Sequence, residues 1–513
     1  MKRRLFFLSW VVFVSFFILL NFFIFKFDFL GFGIRGVDGY YHINISRLVL
    51  AKGIHYNFKW IKFSTLGKVF ADRSFLFHLL SAFILQAFSN LGHTSLVFEA
   101  RIVTFFYQLI FLLSLAFVLR RFVPLFLIPV FLLLPFTSTY FLYYFSYLRP
   151  ATFAYLFLFA GLFFLINKKY LGVFVTALVY PFAHMSFPLL LIFALLVETV
   201  RYIEKKEFFV RNIYAVVLGS SLGCFFHPDF PANILSFYLN VILMPLEMLK
   251  GGIVTNGREL NSLASRYIVF YSLFMIISLV LVLVHSFFWN RKKSFSAKVL
   301  LIIFMFFFLL SLISQRFLYQ ANVFCLIFLS AYFRDYLQFF NLREKSLRVR
   351  VILAAIFLFF LLSFRMNYHS VKSWLLFHQS YSRHFERVAG WLKRKVPPGT
   401  LLFHTGFSDA EFLITLAPQY YYLNISDNVY MYYWNKDIYT IYSQLQLAKF
   451  NNPAYVIKNV FATNYGYASK DFPFYYQVKR DKKHFDKLVD EPLGILFKIK
   501  DIQEPLKQSN SQN

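Results

Sequence analysis

Long apolar runs separated by short basic clusters dominate the chain, and this pattern predicts a series of membrane-crossing helices. The clusters are Lys2 to Arg4, Arg120-Arg121, Lys168-Lys169, Arg201 to Arg211, Arg291 to Lys298 and Arg343 to Arg350. Basic residues flanking apolar spans are retained on the cytoplasmic side, so an even number of crossings must separate adjacent clusters. The runs at 5–25 and 101–119 make the first pair, 122–140 and 151–166 the second, and 170–183 and 187–200 the third. Residues 212–226 with 267–289, and 299–314 with 321–337, follow; 351–364 leaves the cytoplasm a last time. The sum is about eleven crossings, with the N-terminus inside and the tail outside. The run at 74–89 is excluded as a crossing, because it would reverse the side of every later cluster; it reads as an interfacial helix on the outer face. Pro181, His184 and Pro188 interrupt the third pair at a tight outer turn.

Polar residues concentrate in two outer loops, 26–100 and 227–266, and in the tail after residue 364. The tail changes period. A helix at 368–395 stops at Pro397-Pro398-Gly399; strands are expected at 400–404, 419–425, 461–467 and 494–500, and helices at 409–416 and 435–449. The predicted fold class is a polytopic α-helical membrane protein, residues 1–364, carrying an extracytoplasmic α/β domain at 365–502 and a disordered polar end at 503–513.

Composition agrees with this pattern: the 513 residues are 59% hydrophobic and 15% charged, where soluble domains carry roughly 25% charge. The net charge of +29 lies mostly in the topogenic clusters, which argues against a nucleic-acid partner. The 74 phenylalanines read as lipid-facing filler. Cys224 and Cys325 lie far apart in apolar surroundings and offer neither a disulfide framework nor metal-thiolate spacing. The opening segment mimics a signal peptide, but its apolar run is too long and no small-residue cleavage site follows, so it is expected to be the first spanning helix. No internal repeat of the transporter kind is visible.

The candidate chemistry starts directly after the first crossing, at Gly36-Val37-Asp38-Gly39-Tyr40-Tyr41-His42. The two glycines free the backbone around the acid, and the tyrosines suit a membrane interface. A carboxylate there can accept a proton from a hydroxyl or hold a divalent cation beside a phosphate, and His42, four residues on, can share either task. The alternative is an acidic helix cap.

The order of several short motifs resembles the GT-C superfamily, the multi-pass glycosyltransferases that use polyprenyl-phosphate-linked sugars. The superfamily includes the oligosaccharyltransferase catalytic subunit and the protein O-mannosyltransferases, and this chain looks like its poorly characterised bacterial branch. The residues that carry the resemblance are the Asp38 segment, Tyr147-Leu148-Arg149-Pro150-Ala151-Thr152, the helical stretches 75–89 and 101–121, His227-Pro228-Asp229-Phe230-Pro231-Ala232-Asn233, Gln315-Arg316-Phe317, and the tail from Phe403-His404 through Asp409 to Tyr439. Two family features are absent: the Trp-Trp-Asp acceptor motif, and an acid in the second outer loop, 137–149.

The resemblance implies transfer of a sugar from a polyprenyl-phosphate or diphosphate donor to a glycan, lipid or protein acceptor at the outer face of the plasma membrane, with inversion. It implies Asp38 as base or ligand of a divalent cation such as Mg2+ or Mn2+. Arg149 and Arg316, at outer ends of crossings, would hold the lipid phosphate; the alternative for each is snorkelling to ordinary headgroups. His227 and Asp229 would contact an ion or acceptor, or form only a rigid proline turn. His184 would face the same cavity or simply rest at the interface. His404, Asp409 and Asp437 are given no catalytic role. Rival readings are a transporter or flippase of lipid-linked saccharides, a non-catalytic scaffold on a degenerate transferase fold, and a polymerase or ligase of the O-antigen type.

Overall fold

The computed structural model describes residues 2–31, 34, 36–54, 58–89, 95–253, 272–288, 293–337, isolated positions from 358 to 376, and 381–500. The predicted crossing at 351–364, apart from positions 358, 362 and 363, and the polar end at 503–513 lie outside the described residues. The chain divides into two compact units. The first comprises Met1–Gly31, Arg73–Phe230 and Asn256–His378; the second comprises Phe32–Asp72, Pro231–Thr255 and Gln379–Asn513.

The first unit is helical. Its described helices include Lys2–Gly31, Phe75–Ser89, Leu96–Leu119, Pro150–Ile166, Tyr170–Ala183, Leu189–Lys205, Val210–Phe225, Leu273–Phe288, Phe295–Ile313 and Leu318–Leu337. Among the described residues of the whole chain, four helices are long and apolar enough to cross a membrane, or five if one bent pair counts as a single span. The bent pair replaces the straight crossing expected at 122–140. Segments Ile128–Thr137 and Thr139–Ser146 meet at 99°. Pro135 cannot donate to the helical ladder, residues Leu134–Thr137 tighten into a 3-10 turn, and the Ser138 hydroxyl starts a new helix by accepting from Phe141 N–H at 3.2 Å.

Close packing rather than polarity joins the helices Tyr170–Ala183 and Val210–Phe225. A methyl group on Gly219 would lie 2.6 Å from the Phe174 carbonyl oxygen, and one on Gly223 would lie 2.3 Å from that of Leu178. Backbone cannot yield as a flexible side chain does, so the two glycines form a small-x-x-x-small seam. Gly223→Val is therefore expected to destabilise the protein by at least about 1–3 kcal/mol. Exposed Ser221→Ala on the same helix should leave the thermal midpoint in detergent unchanged.

One basic residue counted with the cytoplasmic clusters is not a solvated charge. Arg201 is 1% exposed and donates to the Glu198 carboxylate, itself 0% exposed. The guanidinium also donates to the Leu165 carbonyl at 2.9 Å, while Asn212 and the Phe209 N–H donate to Glu198 at 2.7 and 2.9 Å. The pair is fully hydrogen-bonded, as burial of two charges requires, and it ties three helix ends together.

The second unit is built on a five-stranded sheet of order β2-β1-β3-β5-β4. The strands are β1 Leu401–His404, β2 Tyr421–Tyr422, β3 Tyr465–Ser469, β4 Phe485–Glu491 and β5 Gly494–Ile499. β1 runs parallel to β2 and β3, and β5 is antiparallel to β3 and β4. Helices Phe407–Leu416, Lys436–Gln446 and Pro453–Val460 supply the crossovers, so the tail is α/β in its first part and closes with a hairpin. The expected strand at 419–425 shrinks to Tyr421–Tyr422, and its open edge is covered from the first loop. Tyr422 N–H donates to Trp60 O at 2.7 Å, Lys62 N–H to Tyr422 O at 3.0 Å and Phe63 N–H to Leu423 O at 2.9 Å. Trp60 Nε1–H donates to Pro418 O at 2.6 Å. An edge paired in this way is closed to other chains.

His404 and Asp409 serve this domain's architecture. His404 Nδ1–H donates to Gly406 O at 2.7 Å, and Nε2 accepts the N–H groups of Leu423 and Asn424 at 3.2 and 3.3 Å. Burial pushes the imidazole down to about 4, so it is neutral. Asp409 accepts Gly406 N–H at 2.9 Å at the start of helix Phe407–Leu416. Burial pushes its carboxyl up from 3.8 to about 8, opposed by the Gly406 bond and aided by nearby Asp471. The Asp409 charge in turn helps to hold the Tyr442 and Tyr467 hydroxyls above their ordinary range, after burial. A carboxyl whose folded value lies above its unfolded one stabilises the fold fully below about pH 4, and that contribution is lost as pH rises to about 8. Asp409→Asn keeps the acceptor for Gly406. It should flatten the fall in thermal midpoint between pH 5 and 9, stabilising the alkaline end by at least about 1 kcal/mol.

Candidate functional site

Asp38 is the second residue of helix Val37–Lys52, which starts at Gly36 with φ of 70°, a value that glycine adopts without strain. The carboxylate is half-buried in the first turn, where the helix dipole favours negative charge. The buried face of the helix, including Tyr40, Ile43 and Ile45, holds it against the tail. The Tyr40 ring lies 4.5 Å from Phe412, which is stacked on Phe385 at 4.5 Å and 4°. Thr415 Oγ1–H donates to Tyr40 O at 3.1 Å, and Ile34 N–H donates to the Tyr40 hydroxyl at 3.2 Å. Ser382 Oγ–H donates to Ile34 O at 3.3 Å. The helix that carries the acid is thus fixed by residues far along the chain, Thr415 lying 375 positions after Tyr40. His42 lies one turn beyond Asp38 on the same helix and packs edge-on against Tyr41 at 5.3 Å.

Arg149, His184, His227, Asp229 and Arg316 all belong to the first unit. His184 follows helix Tyr170–Ala183, where the backbone turns extended. Its Nδ1 accepts Ser186 N–H at 3.1 Å and lies 2.7 Å from Ser186 Oγ, which in turn is 2.8 Å from the Tyr180 hydroxyl. An Nδ1 acceptor leaves the proton on Nε2 in the neutral ring. Burial pushes the imidazole down to about 3, and the charges of Arg316 and Arg73 push in the same direction. His184 is therefore a neutral N–H donor set in a field of two guanidiniums.

Arg316 occupies the 3-10 turn Gln315–Phe317 between helices Phe295–Ile313 and Leu318–Leu337. Arg73, two residues before helix Phe75–Ser89, was missed from the sequence. One signal was available: a cation at a helix N-terminus opposes the dipole and calls for an anion nearby.

His227 lies between the segments that carry Arg73 and His184, its ring 5.8 Å from Phe75 and 5.4 Å from Phe182. Its Nδ1 accepts Asp229 N–H at 3.2 Å, with the Asp229 carboxylate at 3.9 Å, in a turn closed by Phe230 N–H to His227 O at 2.9 Å. Arg149 precedes helix Pro150–Ile166 and lies over the rings of Tyr144 and Tyr147 at 4.9 and 4.8 Å. Tyr144 stacks at 5.7 Å on Tyr319, three positions after Arg316.

No protein family matches the chain, and no curated protein matches it in sequence. Solved structures do match. The oligosaccharyltransferase AglB from Archaeoglobus fulgidus, in complex with an inhibitory peptide and a dolichol-phosphate, is similar over 89% of this chain and 69% of its own, at 11% identity and a TM-score of 0.57. ArnT from Cupriavidus metallidurans in the apo state is similar over 94% of this chain and 97% of its own, at 12% identity and a TM-score of 0.55. Its form bound to undecaprenyl phosphate gives 95%, 97%, 12% and 0.53.

The chain has the GT-C fold. That fold was expected from the order of short motifs, and the alignment with ArnT runs through nearly the whole length of both chains. The Archaeoglobus GT-C structure has also been determined with Zn and sulfate. Asp38 and His42 offer two donors one turn apart, and among the described residues no group of three His, Cys, Asp or Glu side chains converges on a metal position. The described donor set is short of a metal centre.

Proposed function

We propose that this protein is a polytopic membrane glycosyltransferase that moves a sugar from a polyprenyl-phosphate or diphosphate carrier to an acceptor at the outer face of the plasma membrane. The observation that supports the reading best is the fold shared with AglB bound to a dolichol-phosphate and ArnT bound to undecaprenyl phosphate; His184, hydrogen-bonded through Nδ1 to Ser186 and with the charges of Arg73 and Arg316 acting on it, suits a phosphate anion. The carriers named for the GT-C neighbours, dolichol-phosphate and undecaprenyl phosphate, present such an anion. About eleven crossings, with the N-terminus cytoplasmic and the tail outside, complete the topology.

In the reaction, Asp38 accepts the proton of the acceptor hydroxyl as its oxygen attacks the anomeric carbon. The bond from that carbon to the phosphate oxygen breaks, the electron pair stays on the phosphate, and the anomeric centre inverts. Arg316, Arg149 and Arg73 meet the charge that grows on the leaving phosphate, and His184 adds an N–H donor. His227 and Asp229 hold the turn beside this anion site. The test is to incubate purified protein with a polyprenyl-phosphate sugar and an acceptor extract and to measure release of polyprenyl phosphate. Release supports transfer; movement of intact carrier across vesicles without release would make the protein a flippase instead.

A further inference from the structure

The outer loop after helix Val210–Phe225 holds a second apolar stretch. Residues Ala232–Leu249 form a continuous helix, passing through a π-turn at Tyr238–Leu243, with the length and hydropathy of a membrane span. Its two faces differ. Ser236, Asn240 and Glu247, at spacings i, i+4 and i+11, share one side. Ser236 Oγ lies 2.9 Å from the Tyr430 hydroxyl, Asn240 Nδ2 donates to that hydroxyl at 2.5 Å, and Tyr432 donates to Glu247 Oε2 at 2.7 Å. The opposite side presents Ile234, Tyr238, Val241, Ile242 and Leu246 exposed, and ends with Leu249 at 87% exposure.

We infer that this helix lies in the plane of the membrane surface, with its apolar side in lipid and its polar side bonded to the tail domain. A helix bonded along three turns to tyrosines of an α/β domain cannot also run through hydrocarbon, because that domain would have to follow it. An apolar side of this size left in water has no source of stability, whereas a bilayer interface takes it directly. Exposed Lys250, directly after Leu249, suits anionic headgroups. The polar contacts rule out solution for neither side alone; together with the apolar face they commit the occupant to lipid.

The test uses full-length protein in lipid nanodiscs, in a Cys224→Ala background that leaves Cys325 buried. Nitroxide labels at Ile234→Cys, Ile242→Cys and Leu249→Cys report depth from oxygen and nickel-chelate accessibility, with Val241→Cys replacing any variant that fails to fold. All three are expected at one shallow depth, about 5–10 Å below the phosphates. A spanning helix would instead spread positions 234 and 249 over about 22 Å of depth, and chelate access at all three would place the helix in water; either result overturns the inference. A control label at exposed Leu113→Cys, in helix Leu96–Leu119, should read the bilayer core. If that control lies in water, the membrane reading itself fails, which is distinct from a misplaced Ala232–Leu249 helix.

Discussion

Asp38→Asn should abolish sugar transfer, lowering kcat by about 10²–10⁴-fold while leaving the protein folded and the donor bound. The substitution removes the carboxylate's charge and proton acceptor and keeps its size. Asp38 sits in the first turn of a helix whose other contacts, Tyr40 on Phe412 and Thr415 on the Tyr40 carbonyl, do not involve its side chain. Asn keeps the shape, and the loss of charge in the first helical turn costs about 0.3–1 kcal/mol of dipole interaction. Polyprenyl phosphate release, thermal midpoint and donor KM measured on the same preparation separate the outcomes. Full turnover in the variant would remove Asp38 from the mechanism. A kcat loss accompanied by a collapsed midpoint would assign it to folding.

Arg316→Ala should lower kcat/KM for the donor by about 10²–10³-fold, the cost of removing one charge aimed at a developing anion. Arg316→Lys should restore only part, because a point charge cannot offer the guanidinium's paired donors. His184 provides an independent readout. Burial is the first cause of its depressed value, and Arg316 is the second. Without Arg316 the imidazole should rise, yet stay below its ordinary 6.5 because burial remains. The wild-type rate should therefore show no limb from His184 between pH 5 and 8. A His184-dependent limb near 6.5 would mean that the ring is neither buried nor flanked by cations.

Much of the architecture was readable wherever one physical rule acted alone. The helix Tyr170–Ala183 matches its expected range because apolar composition begins after Lys169 and ends at a proline-flanked histidine. The stop at Pro397-Pro398-Gly399 and the strand Gly494–Ile499 follow from turn chemistry and alternation. Where tertiary structure competed, local reading failed. The run 122–140 is apolar enough to be straight, but Pro135 and Ser138 break it. Strand Phe485–Glu491, with exposed Asp486 and Lys487, carries too little apolar alternation to stand out and forms because β5 pairs with it. Helix Ala232–Leu249 hid behind two flanking prolines and scattered polar residues whose partners, Tyr430 and Tyr432, lie nearly 200 positions away, the Ser236–Tyr430 separation being 194. At the candidate site, Asp38, Arg316 and His184 were visible as polar residues at the ends of apolar runs. Arg73 was passed over, since its one signal was a lone cation just before a helix start, inside a long loop.

The main-chain bonds from Trp60, Lys62 and Phe63 to Tyr422 and Leu423 bear on how this protein can be taken apart. A fragment starting at Gln379 would bare the rim of its own sheet, because the ribbon that seals it is encoded some 360 codons upstream, as the 358-residue step from Trp60 to Pro418 records. Such a piece should self-associate. The tail is not a module that recombination could lend to another protein without carrying its distant N-terminal companion along.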